Sequence, residues 1–555
     1  MNVHDRTPEE WPTGHVTPVP PPSGAVATEP IPDNARAVLV ADLSTRTAPQ
    51  PRTFVGRHAA PASARVQSRV LLAILAVQAV LSLRLMWSNT AFQDEALYLW
   101  AGRMEWAHWL HGAPIPELVT WFSGSPAIYP PVGALAASIG GLAGARALSL
   151  VFMLATTTFL WGTATTLFGR RAAFFATALF AVLANTQFLG ALATYDAMAI
   201  MLIAFSTWVA VVSVSRDRWV QLVLLATSAG GLALADATKY AATLFDPVVL
   251  AVVVLAAWQL RGWRASVHAA LILSGALLAS IAGGVLFAGA AYWQGITATT
   301  LDRPAASAST SVILEQSFVW TSLVMVLAAL GIVLARREGR AVRALVVTLF
   351  LAALLVPAEQ VHVHTTVSLH KHVDYGAWFA VIAAGYAMAR VSRLDKGIGW
   401  APVMLLPIIA FTVSSSLGQA SELFQGWPNA APLMSALRPV LEQDHGPVLA
   451  EGDEYPVILD YLGNEVPFGR LWSTYQFTYT DPQSDRRIGM PASFADAIKH
   501  AYFGVIALDY AGGRPEVDNI ITKSADASPD CRKSLNEQYT ELHVRRTFMV
   551  WTCRP

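Results

Sequence analysis

Two adjacent carboxylates, Asp94 and Glu95, follow the first long apolar run of the chain, in the stretch QDEALYLWAGR at residues 93–103. A carboxylate at the end of a membrane span can serve as general base on an acceptor hydroxyl, and Tyr98 and Trp100 suit a membrane–water interface. The plainer alternative is a pair of solvated acids capping an interfacial helix, where negative charge favours the N-terminus. Other ionisable groups fall beside apolar runs as well. Asp196 precedes the fourth run and Lys239 separates the fifth from the sixth. The connection between the ninth and tenth adds His362, His364, His370, Lys371, His372 and Asp374. Charge at membrane depth is expensive and points to function, although Lys239 could also snorkel its ammonium to the interface and Asp196 could simply cap the next helix. The histidines could ligate a metal, with His362 and His364 as candidates. Their i, i+2 spacing fits an extended strand better than a helix. Contact with a phosphate, or a solvated loop, accounts for them more simply.

Positioning these groups falls to a chain that is 54% hydrophobic and only 14% charged, against about 25% charged in soluble domains. Its apolar residues fall in runs at 68–87, 146–168, 172–190, 197–215, 219–236, 241–260, 266–290, 317–335, 344–357, 375–391 and 399–416. Most are long enough to cross about 30 Å of hydrocarbon. The expected fold is therefore an α-helical polytopic membrane protein of roughly eleven spans. A Gly- and Ala-rich stretch at 131–143 reads as an interfacial or re-entrant lead-in rather than a crossing. A formal net charge of +0 argues against nucleic acid or an acidic partner.

Charge supplies the topology. Arg170 and Arg171, Arg216 and Arg218, Arg261 and Arg264, then Arg336, Arg337, Arg340 and Arg343, then Arg393 and Lys396, all fall in alternate connections. The positive-inside rule places that side in the cytoplasm, together with the N-terminus, in a multi-pass cell (plasma) membrane protein. Residues 1–66, with Pro18-Val19-Pro20-Pro21-Pro22 and no apolar periodicity, read as a disordered Pro-rich cytoplasmic tail. Residues 67–416 form the membrane domain. Residues 417–555 read as a small extracytoplasmic α/β domain, with short strands at Val448-Leu449-Ala450 and Phe503–Leu508 and an amphipathic helix over Ala492–Ala501. Its Cys531 and Cys553 are the chain's two cysteines. Outside the cytosol they form either a disulfide or two unpaired thiols, and spacing alone does not decide.

The set resembles the C-type membrane glycosyltransferases, the superfamily of protein O-mannosyltransferases and aminoarabinose transferases, over about residues 68–420. The Asp94-Glu95 pair with its aromatic follow-on is similar to that family's first outer loop. Tyr129-Pro130-Pro131 resembles its Tyr-Pro-Pro-Leu element, with Val132 where Leu is usual. Arg146 heads the next helix, Gly169-Arg170-Arg171 is similar to a family turn, and Thr194-Tyr195-Asp196 resembles a Thr-Asp element with an inserted Tyr. Thr238-Lys239-Tyr240 resembles its Thr-Lys-Tyr. The stretch HTTVSLHKHVDYG at 364–376 departs from the family's Arg-Tyr element and is closer to an actinobacterial branch with a Ser-Leu-x-Lys-His-Val pattern.

The resemblance implies transfer of a sugar from a polyprenyl-phosphate donor, within the lipid bilayer, to an acceptor on the outer face: a protein, glycolipid or polysaccharide. It implies Asp94 as base with Glu95 in support. Lys239, Tyr240, Asp196, Lys371, His372 and Arg146 would then bind donor phosphate or substrate, since ammonium and imidazolium groups donate well to phosphate. Some relatives use a divalent ion, Mg or Mn, so the resemblance leaves that cofactor open. The competing class is a transporter or flippase of a lipid-linked or polar solute. Transporters gather polar groups near the midplane on repeated, broken helices, whereas here the polar groups cluster at one face and no internal repeat is visible.

Overall fold

The computed structural model describes residues 64–302, 306–394, 400–443, 446–510, 514–541 and 544–553. They belong to one compact unit within Thr53–Pro555. The expected Pro-rich tail, up to residue 63, lies outside the described residues.

The membrane part is helical throughout. Helix α1 (Ala64–Leu83) leads to α2 (Gln93–His111), which is too polar to span. A single helix, α3 (Tyr129–Phe168), joins the expected lead-in to the expected span, and it breaks at Gly140 and Gly141, where Gly141 has φ +60°. The run expected at 172–190 divides into α4 (Arg170–Val182) and α5 (Ala184–Leu189), because Leu183 between them is extended. There follow α6 (Tyr195–Ser213), α7 (Arg218–Thr238), α8 (Asp246–Arg261), α9 (Trp263–Ile296) and α10 (Thr310–Ala335). Helices α11 (Arg340–Ala352) and α12 (Leu355–His362) form one pair bent by 41°. Helices α13 (Leu369–Leu394) and α14 (Trp400–Leu423) complete the bundle.

Among the described residues six helices are long and apolar enough to cross a membrane, or seven with the bent pair as one span. The other runs are shorter, broken, or carry polar groups. Helix α13 opens with His370, Lys371, His372 and Asp374, yet its middle, Trp378 to Ala384, is buried on every side. A helix apolar all round is the centre of its bundle. Close packing there uses small residues: a Cβ on Gly385 would come within 2.4 Å of the Ala172 carbonyl on α4.

The C-terminal region is α/β. After α15 (Ala431–Leu441) come β1 (Val448–Ala450), α16 (Tyr455–Leu462), β2 (Leu471–Ser473), the small pair β3 (Tyr479–Thr480) and β4 (Arg487–Ile488), α17 (Ala492–Lys499), β5 (Val505–Tyr510), α18 (Pro515–Ala527), β6 (Cys531–Glu541) and β7 (Val544–Cys553). The five-stranded sheet runs β2-β1-β5-β7-β6. Strands β2, β1 and β5 are parallel, while β7 is antiparallel to both β5 and β6. Strands β1 and β5 are buried almost throughout, as parallel strands covered on both faces must be. Cys531 and Cys553 face each other across β6 and β7 and form a disulfide.

Helix α2 belongs to both halves. Its Tyr98 and Trp100 share one apolar core with Leu433, Val457, Ile458 and Val505. The Trp100 ring stacks on Phe468 at 5.5 Å, and Arg103 pairs with Asp460 at 2.6 Å. The C-terminal region therefore clamps the helix whose first turn carries Asp94 and Glu95.

Candidate active site

Glu95 and Arg146 are wholly buried and meet as a fork on a fork. Arg146 Nε donates to Glu95 Oε1 at 2.8 Å and Nη2 donates to Oε2 at 2.7 Å. The remaining guanidinium hydrogens go to the carbonyls of Met86, Asn89 and Thr90 at 2.7, 3.0 and 3.1 Å. Glu95 also accepts from the backbone N–H of Phe92 at 2.9 Å and of Ala193 at 2.7 Å. The first of these bonds closes the N-terminus of α2, where a carboxylate also suits the helix dipole. Every donor of the guanidinium is engaged, so Arg146 has none left for a ligand. The pair ties the end of α1, the start of α2, the second half of α3 and the turn before α6 into one rigid joint.

One residue earlier the same helix turn faces an opening. Asp94 is 28% exposed, and its Oδ2 accepts from Lys371 Nζ at 2.5 Å. That ammonium, itself buried, also lies 4.0 Å from Asp196 Oδ2. Asp196 is fully buried and holds Lys239 Nζ at 2.6 Å on its other oxygen. His372 Nε2 stands 3.8 Å from the same Oδ1 and has no hydrogen-bond partner. Asp196 Oδ2 further accepts from Thr194 Oγ1 at 3.1 Å, and the Tyr375 hydroxyl donates to the Asp196 carbonyl at 3.2 Å. Two ammonium groups and one imidazole thus converge on two carboxylates. The floor is aromatic: Tyr98 stacks on Tyr195 at 4.5 Å, and Lys239 Nζ lies 4.4 Å above the Tyr195 ring.

Local sequence explains how each group arrives. Helix α7 ends at Thr238, and Lys239 is extended, because a neighbouring loop grips it on both sides. Ser125 N–H donates to the Ala237 carbonyl at 2.7 Å and Tyr240 N–H donates to the Ser123 carbonyl at 2.9 Å. The loop comes so close at Gly124 that a Cβ would sit 2.1 Å from the Thr238 carbonyl. Tyr240 itself packs edge-on against Tyr292 at 6.2 Å, to one side of the charge cluster.

The histidine segment departs from the extended strand its spacing suggested. Ser368 has φ +60° and turns the chain. Its carbonyl then accepts from the N–H groups of both Lys371 and His372 at 3.0 Å, so α13 starts at Leu369, six residues before the expected 375. The helix puts Lys371 and Tyr375 on one face, one turn apart, and sends Asp374 elsewhere, to the hydroxyl of Thr186 at 3.2 Å. His362 and His364 remain exposed, before the turn. They do not join a metal-ligating group: among the described residues the one cluster of three potential ligands is Asp481, Asp496 and His500, in the C-terminal region. At the charge cluster, Asp94 and Asp196 each already face an ammonium. A donor set whose carboxylates are neutralised by lysines does not fit a divalent ion.

The sequence reading did not single out Tyr375 or the Ser123–Ser125 loop. Tyr375 carried a signal, its i, i+4 relation to Lys371. The loop carried none, since its role is made by a partner more than a hundred residues away.

All the polar groups of the cluster lie at one end of the spans. Helix α6 runs from Asp196 at its first turn to Ser213, so Arg216 just beyond is about 30 Å away. Beside the cluster a mostly apolar groove opens, lined by Phe92, Phe188, Trp320, His370, Leu423 and Trp427, with Gln419 and Glu422 at its polar side. Lys371 Nζ lies 5.6 Å from the ring of Phe92, on the groove's wall.

Residues 130–288 match the family model of dolichyl-phosphate-mannose-protein mannosyltransferase. That stretch holds Arg146, Asp196 and Lys239. No curated protein sequence matches the chain. Among solved structures, the oligosaccharyltransferase of Archaeoglobus fulgidus superposes with a TM-score of 0.54 at 12% identity, over 80% of this chain and 70% of that one. ArnT from Cupriavidus metallidurans bound to undecaprenyl phosphate gives 0.50 at 16% identity, over 88% and 98%. The arabinofuranosyltransferase AftD from Mycobacteria gives 0.51 at 14% identity, over 89% of this chain but 42% of its own.

Proposed function

We propose that this chain, which has the fold of the C-type membrane glycosyltransferases, moves a sugar from a polyprenyl-phosphate donor to an acceptor hydroxyl. The observation that carries this reading is the contact of one buried ammonium, Lys371, with both the accessible carboxylate of Asp94 and the buried carboxylate of Asp196. Asp94 is the general base: its oxygen takes the proton of the acceptor hydroxyl as the acceptor oxygen bonds to the sugar's anomeric carbon. The bond from that carbon to the phosphate breaks, and its electron pair leaves with the phosphate. Lys371, Lys239 and His372 face the phosphate as charge develops on it, and fixed cations in a water-poor site stabilise such charge strongly. An ammonium has three donors and each lysine spends one on its carboxylate, so both retain donors for a phosphate.

Asp196 is a positioning residue that holds the two lysines together. Glu95 and Arg146 are positioning residues too, which fix the first turn of α2. The apolar groove beside Phe92 takes the prenyl chain, so that the donor reaches the cluster from the lipid. The protein sits in the plasma membrane with this end outward, in line with the arginine-rich turns at the other.

The test is sugar transfer from a panel of polyprenyl-phosphate sugars in membranes that contain the protein, with wild type beside Asp94→Asn. The expected result is transfer from one donor class by wild type and its loss in the variant. Equal transfer by both would remove Asp94 from the role of base.

A further inference from the structure

Strand order in the C-terminal sheet singles out one place for a ligand. From β1 the chain crosses to β2 on one side, and from β5 it proceeds to β6 and β7 on the other, while β1 and β5 are parallel neighbours. In open α/β sheets such a switch point leaves a crevice outside the carboxyl ends of the two strands, where ligands bind. Here that crevice is acidic. Glu451, Asp453 and Glu454 follow β1 directly, and Asp509 stands near the end of β5.

Most of these carboxylates are accounted for. Asp453 accepts from the Tyr475 hydroxyl at 2.8 Å. Asp509 accepts from the Tyr539 hydroxyl at 2.5 Å and from Arg546 at 3.0 Å. Glu451 Oε1 accepts from Thr474 at 2.8 Å, and its Oε2, like one oxygen of Glu454, has no hydrogen-bond partner. Of the two, it is Glu454 that also lines a cavity. Glu454 is 3% exposed, its unpartnered oxygen is Oε2, and it shares the wall of this open cavity with Asp453, Arg546, Trp427, Phe92 and Gln93. Leaving a buried carboxyl oxygen unpaired is unfavourable, and a ligand donating to it removes that cost. Burial also pushes the Glu454 carboxyl well above the usual carboxylate range, so the group can donate as well as accept.

The wall chemistry suits a hydroxyl-rich molecule. Carboxyl groups accept from hydroxyls, a guanidinium donates to them, and the Trp427 and Phe92 rings offer an apolar surface for the C–H face of a sugar. The cavity also adjoins the reaction centre, since Gln93 on its wall immediately precedes Asp94. We propose that this crevice is the acceptor subsite and that its occupant is a carbohydrate, held by Glu454, Asp453 and Arg546 with a hydroxyl directed at Asp94. The inference rests on the glycosyl-transfer reading above.

The experiment uses the full chain in lipid nanodiscs, titrated with methyl glycosides of the common pentoses and hexoses by saturation-transfer NMR. Wild type is expected to bind at least one glycoside, and Glu454→Gln and Asp453→Asn each to weaken that binding about tenfold, as loss of one hydrogen bond does. Thermal unfolding is read on each variant; if Glu454→Gln fails to fold, the half-buried Asp453 still decides. No glycoside binding by wild type, or wild-type binding in every folded variant, would overturn the proposal. Transfer assayed in the same preparations separates the two readings. Asp94-dependent transfer without glycoside binding rejects the crevice alone. Glycoside binding that needs Glu454, with no transfer from any donor, keeps the crevice as a sugar site and rejects the enzyme.

Discussion

Asp94 and Glu95 are the same kind of group, one residue apart on one helix turn, and the fold treats them oppositely. Glu95 is sealed against Arg146, and that guanidinium has every donor spent. Asp94 is partly open and touches a lysine that a second carboxylate also holds. A complete hydrogen-bond network makes a joint, whereas an incomplete one beside an opening leaves capacity for a substrate. Residue type does not separate the two acids; what separates them is how fully their partners are used.

The largest effect should come from breaking the joint. Arg146→Ala leaves Glu95 buried without its counter-charge, which costs roughly 3–5 kcal/mol. The expected outcome is little folded protein in detergent, measured by thermal unfolding and size-exclusion yield. Asp94→Asn should do the reverse: near-normal folding with transfer reduced about 10²- to 10⁴-fold, the usual contribution of a general base. Next in size, Lys371→Met and Lys239→Met should each weaken polyprenyl-phosphate binding about tenfold to a hundredfold through loss of a charge-assisted hydrogen bond, read by titration of the lipid phosphate into nanodisc-embedded protein.

A separate effect concerns the C-terminal crevice, and it touches stability rather than turnover. Burial, and then the charge of Asp518, pushes the Glu451 carboxyl up to about 8. An unfolded glutamate titrates near about 4.3, so between these values the folded chain binds the extra proton. Stability must therefore fall as pH rises from about 5 to about 8 and level off above. Glu451→Gln should flatten that slope, read as the difference in melting temperature between about pH 5 and about pH 8 for wild type and variant.

The sequence made much of the scaffold readable, because the relevant signals are local. Apolar runs, the strands expected at Val448–Ala450 and Phe503–Leu508 (the second found at Val505–Tyr510) and the helix from Ala492 each carry their own periodicity or composition. Partnership does not. Glu95 finds Arg146 across 51 positions, and Lys371 reaches Asp94 across 277, through helix packing that leaves no local trace. The histidine segment misled for the opposite reason: its i, i+2 spacing is a local signal, but left-handed His364 and Ser368 turn the chain and α13 restarts at Leu369, overriding it. The two cysteines were undecidable by spacing and became adjacent only through the β6–β7 register.

The contrast between the two acids is tested most directly by turnover per folded molecule for Asp94→Asn and Glu95→Gln, measured side by side with the active donor and normalised to monodisperse protein. The account predicts a well-folded Asp94→Asn with almost no turnover, and a poorly folded Glu95→Gln whose surviving fraction still transfers sugar. Near-wild-type turnover in Asp94→Asn, with none in folded Glu95→Gln, would contradict it.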